Sequence, residues 1–177
     1  SLNELSSWLE PVLQRTAEEK GLRLRLTVSG ESNALLRSDR ERIAQIIINL
    51  SDNAIKNTDT GSVNVCIDYQ PQREAGGGIL EIEVSDTGQG IAEEKQNEIF
   101  SPFTQVSSTS GGLSSGLGLG LSIVRSVTEL LGGSVDLSSI PGEGSTFTVR
   151  LPVAEAEGAE TDPRESADAQ DGERVSE

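Results

Sequence analysis

The sequence predicts an α/β protein built as a two-layer sandwich, helices packed on one mixed sheet. Three observations carry that expectation. Segments with apolar residues at helical spacing interleave with segments of apolar–polar alternation. Short Gly- and Pro-containing stretches join neighbouring alternating segments as hairpins, so the sheet is mixed. Hydrophobic residues make up 34% and aromatics only 3%, so the core must rest on Leu, Ile and Val.

The elements follow in order. Leu2, Leu5, Trp8, Leu9, Val12, Leu13 and Ala17 recur at helical spacing, which makes residues 1–19 an amphipathic helix ended by Gly21. Leu22, Leu24, Leu26 and Val28 then alternate with polar residues as a half-buried strand. Ser38 and Glu41 have the spacing of a capping box and open a helix through Ile43, Ile46, Ile47 and Leu50 to about Asn57. Strands over 63–69 and 80–84 flank a hairpin loop over 71–78. A helical patch at 92–99 leads to Phe100 and Phe103, and the Gly/Ser-rich stretch 107–120 precedes a helix over 118–131. Strands at 134–138 and 145–151, joined by the turn Pro141–Gly144, close the domain.

Charge and composition bound the function. The 177 residues contain no His, which excludes Ser-His-Asp and Cys-His catalysis and the usual soft-metal sites. The single cysteine, Cys66, cannot form an internal disulfide, and a reducing, cytoplasmic setting is expected. A net charge of −15 argues against nucleic acid as a partner. No apolar run has the length of a membrane span, so no direct membrane contact is expected. The chain has no Met and reads as a piece of a larger protein. Residues 154–177 hold nine acids against Arg164 and Arg174, with almost no large apolar side chain, and are expected to form a disordered tail or linker after a domain spanning 1–153.

Three local features suit different parts of a nucleotide. Asn49, Asn53 and Lys56 lie at i, i+4 and i+7 on the long helix and share one face. A carboxamide oxygen suits Mg²⁺, and a Lys one turn away would counter phosphate charge. The same face is equally well read as a solvated polar stripe. Asp86-Thr87-Gly88-Gln89-Gly90 ends a strand, where a carboxylate can accept from an exocyclic amine and glycines allow close approach to a ring. It is also what an ordinary strand-to-helix turn looks like. Gly116-Leu117-Gly118-Leu119-Gly120 opens a helix whose first amides can bind phosphate. No buried strand precedes it and no Lys-Ser/Thr follows it, so it is neither a dinucleotide fingerprint nor a P-loop.

In this order the three features resemble the catalytic ATP-binding domain of sensor histidine kinases, within the superfamily of gyrase, heat-shock chaperone and mismatch-repair ATPases. NLSDNAIKNT resembles that family's asparagine box, DTGQGI its first glycine box, FSPF its phenylalanine box, SGLGLGLSIV its second glycine box and GEGSTFTVRLP its closing strand. The resemblance implies three helices on a mixed five-stranded sheet, with Mg²⁺-ATP held under a flexible lid. It implies Asn53 as the metal ligand, Asn49 assisting at the metal and the phosphates, Lys56 contacting the phosphates, and both Asn49 and Lys56 in the catalytic step. Asp86 would read the adenine amine, Gly88, Gly90 and Ile91 would wall the base, and Thr146 would lie beneath it. Gly116, Leu117, Gly118, Leu119 and Gly120 would form the lid hinge on the phosphate side. Asn57 stands where the family often has an aromatic, which weakens one wall, and residues 104–124 lack the basic residue many members carry.

Position 49 separates branches of the superfamily. Hydrolysing relatives place a glutamate there as general base for water, and an amide cannot take that proton. Asn49 therefore favours transfer of the γ-phosphoryl to a positioned acceptor. The resemblance implies that the acceptor is a histidine on a helical dimerisation domain of the same parent, that a response-regulator receiver domain follows indirectly, and that the parent is compatible with an inner-membrane anchor. The rivals are an ATPase and a degenerate regulatory domain that only binds nucleotide.

Overall fold

The computed structural model describes residues 1–72, 76–102 and 118–156. Helix α1, Leu2–Glu19, starts in a capping box: Ser1 Oγ accepts from Glu4 N at 3.3 Å, and the Glu4 carboxylate accepts from the Ser1 amine at 3.3 Å. It buries Leu2, Leu5, Leu9, Leu13 and Ala17. Trp8 and Val12, expected on that stripe, are 51% and 50% exposed. The buried stripe is one narrow row at i, i+3 and i+4 spacing, and the Arg40 guanidinium covers the Trp8 ring at 5.8 Å.

Strand β1, Arg23–Gly30, is followed by the two-residue β2, Leu36–Arg37, and then by α2, Arg40–Asn57. The cap of α2 is Asp39 and not Ser38: the Asp39 backbone is extended and its carboxylate accepts from Arg42 N at 3.1 Å. Strands β3, Ser62–Gln72, and β4, Gly77–Asp86, run well into the stretch expected to be loop. The helical patch near residue 92 shortens to α3, Glu93–Gln96, and continues as turns. Helix α4, Gly120–Leu130, and strands β5, Ser134–Ile140, and β6, Gly144–Glu155, complete the chain of elements.

The sheet is six-stranded in the order β1-β3-β4-β6-β2, with β5 also pairing β6. Only β1 and β3 run parallel, so the sheet is mixed as expected. The sixth strand arises because β6 continues past the expected boundary at Val153. Ala154 pairs with Arg37, and Glu155 pairs with Leu36. Phe103, Gly116, Leu117 and the expected tail from residue 157 onward lie outside the described residues.

One sheet face carries the core. Val63, Val65, Ile67 and Tyr69 of β3, Leu80, Ile82 and Val84 of β4, and Phe147, Val149, Leu151 and Val153 of β6 are buried with Ile43, Ile46, Ile47 and Leu50 of α2. Each such side chain contributes about 1.5–3 kcal/mol by leaving water. At one end of this face the apolar rows stop, and the next row in register is Val63, Asp86, Ser145 and Ser139. The candidate site begins at that row.

Candidate nucleotide-binding site

Asp86, the last residue of β4, is buried to 7% exposure among the helix-facing side chains. Burial pushes its carboxyl above the usual carboxylate range, and hydrogen bonds from the Gly88 and Ser145 backbone partly offset this. The Gly88 amide donates to Asp86 Oδ1 at 2.8 Å, folding the chain back over the carboxylate. A side chain at Gly88 would collide with the Asn57 carbonyl and lie 2.8 Å from Asp86 Oδ1. At Gly90 the backbone is left-handed (φ +67°), and a Cβ would run into the Ile140 carbonyl.

The loop after Gly90 is fastened to the end of β5. Ile91 N donates to Ser139 Oγ at 2.8 Å, and Gln96 Nε2 donates to Ile91 O at 3.0 Å and to Ser139 O at 3.2 Å. An open crevice of about 500 Å³ beside α3, lined by Glu93, Gln96, Ser139 and Pro141 among others, does not include Asp86. The site is therefore located by its chemistry. Phe100 packs edge-on against the core residue Phe147, with ring centroids 6.2 Å apart, which gives it a place in the core.

Helix α2 supplies the opposite side. Asn49 and Asn53 are half-buried and Lys56 is exposed on the same face. Asn49 Nδ2 donates to Gln45 O at 2.9 Å, which leaves Oδ1 as its outward group. A Cβ built on Gly120 would sit 3.5 Å from that Oδ1, so the start of α4 lies directly across from Asn49. Gly118 there is left-handed (φ +65°), and the N-cap Leu119 offers no side-chain acceptor. The first amides of α4 thus lack a side-chain cap.

A continuous run of hydrogen bonds joins the two sides. Asn57 Nδ2 donates to Asn53 Oδ1 at 3.1 Å and to Asn53 O at 2.8 Å, Gln89 N donates to Asn57 O at 3.3 Å, and Gly88 N closes onto Asp86. Asn57 is thereby more than a missing aromatic, because its side chain orients Asn53 and its carbonyl seats the glycine turn.

Thr146 does not join this arrangement. It pairs with Ser85 and Ser138 and points to the opposite sheet face, while Ser145 is the neighbour of Asp86 and is buried to 7% exposure. Side chains alternate along a strand, so the residue on the Asp86 face is one position earlier. Ser145 and Ser139 are the neighbours of Asp86 on that face that the motif reading missed, and counting the pleat back from buried Phe147 would have found Ser145.

The donor set suits a magnesium nucleotide. Among the described residues no three His, Cys, Asp or Glu cluster for a metal. Asn53 Oδ1 supplies one hard oxygen, which fits an ion that takes its other ligands from phosphates and water.

The site thus consists of a buried carboxylate under glycine turns, an amide-bearing helix and an uncapped helix start, at one end of an α/β sandwich. Residues 38–155 match the model of histidine kinase-, DNA gyrase B-, and HSP90-like ATPases, and the chain belongs to that family. It is 37% identical over 149 residues to the autoinducer 2 sensor kinase/phosphatase LuxQ of Vibrio parahaemolyticus, covering 84% of this chain and 17% of that protein. It is 39% identical over 163 residues to the virulence sensor protein BvgS of Bordetella bronchiseptica, covering 89% of this chain and 13% of that one. The chain thus spans under a fifth of these relatives. Among solved structures, full-length ShkA in complex with AMPPNP superposes with a TM-score of 0.71 at 28% identity, over 88% of this chain and 31% of that one. The nucleotide-free catalytic domain of histidine kinase ThkA superposes with a TM-score of 0.63 at 28% identity, over 85% and 91%.

Proposed function

We propose that this domain binds Mg²⁺-ATP and donates the γ-phosphoryl group to a histidine on a separate helical dimerisation domain of its parent, upstream of a response-regulator receiver domain. The observation that carries this reading is the state of Asn49. Its amide nitrogen is held by Gln45 O, and its outward oxygen cannot take a proton from water. The position supports positioning of phosphates and offers no base for hydrolysis. The chain contains no His, so the acceptor must be supplied from elsewhere.

The reaction breaks the bond between the γ-phosphorus and the β–γ bridging oxygen and forms a phosphorus–nitrogen bond to imidazole, releasing ADP. Asp86 accepts from the adenine amine, and Gly88, Gly90 and Ile91 hold the ring. Asn49, Lys56 and the first amides of α4 orient the phosphates, and such positioning dominates phosphoryl transfer. Asn53 Oδ1 would hold a magnesium ion, which would supply neutralisation of phosphate charge. A cytoplasmic location suits this role, and no helix among the described residues is long and apolar enough to cross a membrane. The absence of Lys and Arg from residues 104–124 favours a second reading, a nucleotide-binding regulator without transfer activity.

The test mixes the domain with the helical acceptor domain of its parent and γ-labelled ATP. Acid-labile label should appear on the acceptor and be lost with Asn53→Ala. Nucleotide binding without any transfer would establish the regulatory reading, and steady acceptor-independent hydrolysis would establish an ATPase.

A further inference from the structure

The hydroxyl of Ser139 meets three groups, one that only donates, one that only accepts and one that can do either. Ile91 N donates to Ser139 Oγ at 2.8 Å. The Gly144 carbonyl can only accept, so Ser139 donates its one proton there, at 3.0 Å. Ser145 Oγ lies 3.0 Å from Ser139 Oγ. When the Ser139 proton rests on that carbonyl, Ser145 is the donor in that contact. The Ser145 hydroxyl proton is then turned toward β5 and away from Asp86, its partner in register across the β4–β6 ladder. In that arrangement Ser145 presents lone pairs beside the acceptor Asp86.

We propose that Ser139 is a positioning residue that sets base preference by holding the Ser145 hydroxyl as an acceptor. This rests on the reading of the Asp86 pocket as an ATP site. Two adjacent acceptors suit the amino group on the six-membered ring of adenine, which offers two hydrogens. The carbonyl that guanine carries at the same ring position offers only lone pairs and meets acceptor against acceptor. A site that pairs polar groups in this way rejects an analogue that leaves them unpaired. Removing the Ser139 hydroxyl frees the Ser145 proton to turn and donate to such a carbonyl.

Gln96 provides the contrast. Its amide ties the same two segments through the carbonyls of Ile91 and Ser139, without touching the Ser145 proton. Loosening the seam and releasing the proton are therefore separable.

Calorimetric titration of the intact chain with ATP and with GTP in magnesium buffer tests this, with thermal melts alongside. Ser139→Ala should reduce the ratio of ATP to GTP affinity by about fivefold to tenfold, the worth of one hydrogen bond. Ser139→Thr, which keeps the hydroxyl, should retain the wild-type ratio. Gln96→Ala should lower the melting temperature and weaken both nucleotides together, leaving the ratio in place. Should Ser139→Ala not fold, the near-isosteric Ser139→Cys, a weak hydrogen-bonding group, should show an intermediate ratio. A wild-type ratio in the folded Ala or Cys variant overturns the proposal, as does a Gln96→Ala shift equal to that of Ser139→Ala. Failure of the wild-type chain to bind ATP would instead overturn the nucleotide-site reading itself, and this inference with it.

Discussion

Asp86 holds two roles in tension. Burial disfavours its ionised form, yet that form is the better acceptor for a ligand amine. The native state therefore binds the Asp86 proton more tightly than the unfolded chain does. Its contribution to stability is fully present below the ordinary carboxylate pKa and is lost as pH rises through the raised folded value. Asp86→Asn should remove that loss: the ligand-free melting temperature at neutral pH should hold or rise, and its pH dependence just above the carboxylate range should flatten. ATP affinity should fall by about 1.5–3 kcal/mol, the worth of a charge-assisted hydrogen bond. Melts across pH with parallel titrations check both, and a variant that binds ATP as well as the wild type would remove Asp86 from the site. Asp86 was legible in the sequence as a candidate because a carboxylate followed by two glycines at a strand end suits a base amine and a close approach to a ring. Ser145 was not, because GEGSTF offers two adjacent hydroxyls and the motif does not say which faces the helices. The pleat decides it, and the expected Thr146 faces the other way.

At the scale of elements, α2 is held at its end by a residue that no motif marks. Lys20, the C-cap of α1, donates from Nζ to Ile55 O at 2.8 Å and to Lys56 O at 2.7 Å, on the last turn of α2. A cation there satisfies orphan carbonyls at the negative end of the helix, close to Asn53 and Asn57. Lys20→Met keeps much of the aliphatic stem and should cost about 1–2 kcal/mol of stability, with a smaller loss of ATP affinity, both readable by denaturant titration and calorimetry. The contact spans 35 residues, so no local pattern predicts it. The end of β6 was hidden for a similar reason. Glu155 belongs by composition to the acidic tail, yet its carboxylate accepts from Tyr69 OH at 2.7 Å. Burial and then Glu155 push the Tyr69 phenol up to about 12, so it stays a donor at neutral pH. A chain ending at Ala156 should keep the full melting temperature and ATP affinity. One ending at Val153 loses the β2 pairing and the Tyr69 partner and should melt several degrees lower. Equal melting of the two truncations would show that this end of the sheet adds nothing.

For the whole molecule, fold class and ligand class were legible because they rest on periodicity and on three motifs in a fixed order, and both are local properties of the sequence. What joins the motifs is not local. The link from Asn53 through Asn57 and Gln89 to Asp86 exists only once α2 and β4 are side by side. That geometry bears on how the molecule distinguishes ATP from ADP. The Asp86 side is fastened by hydrogen bonds from the amides of Gly88, Gln89 and Ile91. The Asn49–Asn53 side, where the proposed reading puts the phosphates, carries little positive charge. Lys56 is exposed on α2, Arg125 of α4 is engaged with Glu129 at 2.9 Å, and residues 104–124 contain no Lys or Arg. Most binding energy should then come from base and ribose-proximal contacts that ATP and ADP share. The two nucleotides should bind within about tenfold of each other, or roughly 1.4 kcal/mol, in the same magnesium buffer. Lys56→Met should narrow that gap further, because it removes the cation on the Asn49–Asn53 face. Side-by-side calorimetry decides the matter: ATP binding a hundredfold more tightly than ADP would mean that a cation such as Arg125 leaves its partner to grip the terminal phosphate.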